Sequence, residues 1–73
     1  MNSQLKTMRV GIAIDDWKLP VFKRRLTEAD FTFEQRVGVT PDTLMLYVET
    51  KEFNRLGCVI EDAAAECARR KLQ

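Results

Sequence analysis

From Met8 to Ile14 the chain alternates. Met8, Val10, Ile12 and Ile14 fall on one side, and Arg9, Gly11 and Ala13 on the other. A period of two is that of a strand with one buried face. Asp15 and Asp16 end the run and lead into Trp17. Pro20 suits the first turn of a helix, where its missing N–H is not needed. Val21, Phe22, Leu26 and Ala29 then recur at helical spacing, which predicts a short helix from Pro20 to Ala29 with Lys18, Lys23, Arg24 and Glu28 toward water.

Phe31 and Phe33 resume the two-residue period, opposite Thr32, Glu34 and Arg36. Val37 to Asp42 holds a glycine and a proline and reads as a loop. Leu44, Leu46 and Val48 then form the inner face of a third strand, with Met45, Tyr47 and Glu49 outward, and the short connection predicts an antiparallel hairpin. Thr50 suits a helix N-cap, with Glu52 in the first turn. Phe53, Leu56, Ile60, Ala63, Ala64 and Cys67 make the apolar stripe of a long second helix, which ends in Arg69, Arg70 and Lys71. Gly57 lies inside that helix, where it costs about 1 kcal/mol relative to alanine, so close packing against the sheet is its expected reason.

The order is strand–helix–strand–strand–helix. A right-handed crossover makes the first two strands parallel and places the third between them, antiparallel to both. The expected fold is α+β: a βαββα two-layer sandwich with sheet order 1-3-2 and both helices on one face. This order resembles the ferredoxin-like folds, lacking their last strand. A likeness of element order carries no function with it.

Seventy-three residues suffice for one domain, 1–73, with residues 1–7 as a flexible or strand-extending N-terminus. So short a chain buries only about 60% of its unfolded surface, so a disulfide, a metal or self-association is the expected support. Cys58 and Cys67 fall nine positions apart on one helix, on opposite sides and too distant to bridge or to share an ion. Histidine is absent, which removes the commonest zinc ligand and the usual general base. Self-association, as a homodimer, is therefore the expected route, with no cofactor and no metal. The first residues are too polar for a signal peptide and no apolar run reaches membrane length. Two unbridged thiols then point to a reducing, cytoplasmic setting. Twelve basic and eleven acidic side chains give no field that calls for nucleic acid.

The topology gathers Asp15, Asp16 and Trp17, the loop with Thr40 and Asp42, and the basic helix end at one edge. Asp15, Asp16 and Asp42 suggest a hard-cation site. The simpler reading pairs the aspartates with nearby arginines and makes them cap the next helix. Trp17 reads either as a lid on the core or as a contact residue. The open sheet face carries Arg9, Gly11, Ala13, Thr32, Glu34, Arg36, Met45, Tyr47 and Glu49, an apolar centre inside a charged rim, which is the anatomy of an interface. With no fourth strand beside it, the first strand also leaves backbone groups open, for a second copy or for the chain's own first residues.

RNA-recognition modules share this sheet layout, but they stack bases on two or three aromatic platforms and only Tyr47 is available here. No phosphate loop, nucleophile elbow or histidine base is present, and Cys58 stands on the outer side of its helix. The first strand–helix turn is where the amino-acid-sensing ACT domains, relatives of the ferredoxin-like fold, bind effectors, although the glycine usual there is missing. The stretches IDDWKLPVFKRRL and DTLMLYVET are similar to those of short uncharacterised bacterial proteins found on phages and mobile gene cassettes, a resemblance that implies no activity. The expectation is a non-enzymatic, self-associating module for a protein or small-molecule ligand, with Asp15, Asp16, Trp17, Met45, Tyr47, Arg9 and Arg36 as contact residues. The alternatives are a small enzyme whose pocket forms between subunits near Asp15, Asp16 and Trp17, and a nucleic-acid-binding module.

Overall fold

The structure, a computed structural model, describes residues 7–71. All but Thr7 of the expected N-terminal stretch lies outside them. The elements run β1 (Met8–Asp15), a 3-10 turn (Asp16–Lys18), α1 (Leu19–Glu28), β2 (Phe33–Val37), β3 (Thr43–Thr50) and α2 (Phe53–Lys71). The sheet order is β1-β3-β2, with both outer strands antiparallel to β3. The α+β architecture of βαββα order is therefore the one the alternation predicts.

Register explains the core. Val10, Ile12 and Ile14 stand opposite Val48, Leu46 and Leu44 of the central strand, all on the side facing the helices. Ile12, Ile14, Leu46 and Val48 pack there against Val21, Phe22 and Leu26 of α1, Phe31 after it, and Leu56, Ala63 and Cys67 of α2. Leu46 and Val48 are fully enclosed because the middle strand has a neighbour on each side and helices above.

Four local expectations shift. Phe31 is not in β2: it is buried in the core, and pairing begins only at Phe33. The cause is the end of α1. Asp30 takes a left-handed conformation (φ 66°), the Phe31 N–H donates to the Leu26 carbonyl at 2.9 Å and the Asp30 N–H to Thr27 at 3.0 Å. This is a Schellman motif, whose usual apolar contact is the one Phe31 and Leu26 make. The Thr50 hydroxyl does accept the Glu52 N–H at 2.9 Å, but α2 starts at Phe53, and Glu52, whose carbonyl accepts the Leu56 N–H, precedes the first turn. Phe53 and Ala64 face solvent, since they lie about 60–80° round the helix from Leu56 while α1 packs on the other flank. Gly57, finally, packs against nothing: a methyl group built on it meets no atom within 4 Å.

The helices do not cover the whole sheet. Gln35 and Val37 of β2 share the inward parity of Phe33, yet both are exposed, Val37 to 85%. The β2–β3 hairpin turns tightly at Gly38, whose N–H donates to the Thr43 carbonyl at 3.0 Å. A methyl group at Gly38 would lie 2.8 Å from the Thr43 backbone, so glycine is needed there for close approach.

Candidate binding surfaces

The expected convergence at one edge is present. The Asp16 N–H donates to the Asp42 carbonyl at 2.9 Å, which fastens the turn after β1 to the hairpin. Asp15 pairs with Lys18 at 3.5 Å, a lysine rather than the arginines expected, and makes no side-chain cap on the following turn. Trp17 is 44% exposed and stands over a hollow of about 240 Å³ lined also by Pro20, Val21, Arg70 and Lys71. The ammonium groups of Lys18 and Lys71 lie 5.4 and 6.0 Å from the indole centroid.

The open sheet face is built differently from a flat apolar patch. Gly11 stands opposite Tyr47 and Ala13 opposite Met45, while Glu34 and Arg36 flank the same two residues from β2. Met45 and Tyr47 lean over Gly11, so that a methyl group there would lie 3.1 Å from each. The Arg9 guanidinium covers the Tyr47 ring at 4.5 Å and reaches across β3 to donate to Glu34 at 2.9 Å. Arg36 donates to the other oxygen of Glu34 at 2.6 Å. Hydrogen bonding from Arg36 holds the Glu34 carboxyl below its usual range, with the Arg9 charge acting in the same direction. A ligand stacking on Tyr47 would have to displace Arg9, which counts against base stacking.

The candidate residues thus separate into two groups. Asp15, Asp16 and Trp17 belong to the corner where β1 meets the end of α2, and Arg9, Arg36, Met45 and Tyr47 to the middle of the sheet. Among the described residues the hollow at Trp17 and the two at Tyr47 are lined by different side chains. Among the described residues, no three carboxylates or thiols converge as metal ligands. Cys58 is exposed and Cys67 buried, and burial pushes the Cys67 thiol up.

The most developed polar cluster is one that periodicity does not reveal. Glu66 is 8% exposed on α2 and accepts from Arg24 and from Arg25 (2.9 Å) of α1, while Arg70 pairs with its second oxygen at 3.1 Å. The Arg24 hydrogen bond, then that of Arg25, pulls the Glu66 carboxyl down to about 2. Arg24, exposed as expected, and Arg25 therefore clamp α1 to α2 through this one carboxylate. A second tie lies at the other end, where Arg55 stacks on Phe31 at 4.7 Å and donates to the Ala29 carbonyl that α1 leaves open. The only sequence hint was an acidic residue between Ala63 and Cys67 on the buried stripe.

No helix of the described residues is long and apolar enough to cross a membrane. Compared with family models, curated proteins and solved structures, the chain matches none.

Proposed function

We propose that this chain is a non-enzymatic binding module that works as a homodimer, formed by antiparallel pairing of β1 with β1 of a second copy. The observation carrying this reading is the direction of the β1 backbone groups. The Asp16–Asp42 hydrogen bond and the β1–β3 register turn the even-numbered residues toward β3. Arg9, Gly11, Ala13 and Asp15 consequently present four N–H groups outward, and Arg9, Gly11 and Ala13 their C=O groups as well, while the Asp15 carbonyl caps the 3-10 turn and keeps one lone pair for a partner. An open row of this kind is a template for another strand.

Parity and charge single out one register. Side chains of paired strands must keep to their own faces, so only two-fold axes through a residue are allowed. An axis through Ile12 sets Arg9 opposite Asp15 of the partner and Gly11 opposite Ala13, twice each. All the outward groups are then bonded, and small residues meet at the centre. Axes through Gly11 or Ala13 leave Asp15 or Arg9 outside the set. The partner strand takes the position that the last strand holds in ferredoxin-like folds, which no strand among the described residues fills. A reducing, cytoplasmic setting suits its two unpaired thiols. The bacterial resemblance supports an accessory role without naming a process.

Ala13→Pro tests the reading, because the N–H it removes faces away from β3. The expected result is a dimer of the natural chain by sedimentation and a folded monomer for Ala13→Pro with an unchanged far-ultraviolet spectrum. A natural chain that stays monomeric at high micromolar concentration, or a variant that still dimerises, refutes it.

A further inference from the structure

The corner at Trp17 combines features that serve no evident need of the core. Its floor is apolar: the Trp17 indole, the Pro20 ring and Val21, which is only 3% exposed. Its rim is cationic. Lys18 and Lys71 hold their ammonium groups over the indole ring, and Arg70 lines the same hollow. Carboxylates answer two of these cations, Asp15 at Lys18 (3.5 Å) and Glu66 at Arg70 (3.1 Å). Among the described residues no carboxylate pairs with Lys71.

We infer that this hollow binds a small aromatic monocarboxylate, its ring against Pro20 and the edge of the Trp17 indole and its carboxylate toward Lys71 and Arg70. The volume of about 240 Å³ accommodates one ring and its substituent, but not a nucleotide. Shape and charge both favour this class. A fully hydrated anion such as phosphate gains nothing from the apolar floor, and a neutral ring forgoes the charge-assisted bonds to the ammonium and guanidinium donors. Edge-to-face contact with the indole adds an attraction that an aliphatic acid lacks.

Trp17 is the chain's single tryptophan, so its own fluorescence reports the site. The probes are benzoate, its neutral isostere benzamide and inorganic phosphate, added to the full chain with excitation at the red edge of indole absorption. Benzoate should change the emission saturably. Benzamide should bind about tenfold more weakly, as should benzoate to Lys71→Gln, each having lost a charge-assisted contact. Phosphate should leave the spectrum unchanged. The inference is overturned by the absence of a saturable benzoate effect, by equal binding of benzamide, by a phosphate response of equal strength, or by unaltered affinity in Lys71→Gln. One chain supplies every lining residue, so Ala13→Pro should bind benzoate as the natural chain does. Failure of the dimer and failure of this site are therefore read separately.

Discussion

Gly57→Ala offers the sharpest test of how α2 is built. Gly57 is the fifth residue of the helix Phe53–Lys71, beyond the first turn, and its backbone lies in the interior of the hydrogen-bonded run. Glycine there costs about 1 kcal/mol relative to alanine, through lost backbone freedom on folding. The cost is usually offset where the missing side chain lets another element approach. Here a methyl group meets no atom within 4 Å, so alanine brings neither clash nor contact. The whole propensity difference should therefore appear as stability, about 1 kcal/mol or a roughly fivefold shift in the folded-to-unfolded ratio. For a domain of this size that raises the melting temperature by about 4–8 °C. It also moves the urea midpoint upward by about 0.5–1 M. Thermal and urea unfolding followed by circular dichroism at one fixed protein concentration measures it. Ala64→Gly, at an exposed position of the same helix, should lose a comparable amount and calibrates the scale. An unchanged or lowered midpoint for Gly57→Ala, with Ala64→Gly behaving as stated, would show that something does press on Gly57, and the reasoning would fail.

The remaining predictions concern one cap, one ion cluster and one core position. Asp30→Gly should stabilise by about 0.5–1 kcal/mol, because φ 66° at the Schellman position is strained for any residue with a side chain; a loss in the same melts would mean that the aspartate holds a bond of its own. Glu66 has a carboxyl depressed to about 2 from an ordinary 4.5, so its contribution is complete above about pH 4.5 and disappears as pH falls toward 2. Glu66→Gln should be less stable at neutral pH and show a flatter stability profile across that window, and parallel profiles for the two proteins would contradict the assignment. Leu46→Ala empties the fully enclosed centre of β3 and should cost about 2–5 kcal/mol. A loss below about 1 kcal/mol in urea titrations would mean that the core closes over the gap.

Legibility in the sequence followed the range of the interactions. The alternation from Met8 to Ile14 and from Leu44 to Val48 marked two strands and their inner faces, because side chains on an extended backbone point to opposite sides whatever surrounds them. The apolar spacing Val21, Phe22, Leu26 gave α1 on the same ground. The edge that joins Asp15, Asp16 and Trp17 to Arg70 and Lys71 followed from strand order and handedness alone. Phe31 was misplaced because its two-residue spacing to Phe33 imitates a strand, whereas backbone bonds from Asp30 and Phe31 decide the matter. The clamp on Glu66 was invisible because its partners, Arg24 and Arg25, stand more than forty positions away.

The sequence by itself determined what each segment is and which of its sides is oily, since both depend on neighbours within a turn or two of backbone. Only the tertiary structure decided which of those sides are covered. Gln35 and Val37 have the inward parity of Phe33 and remain bare, and Glu66 has the chemistry of a surface residue and is enclosed. Coverage depends on how far two helices of unequal length reach across three strands, a property of the assembled layers that no local spacing encodes.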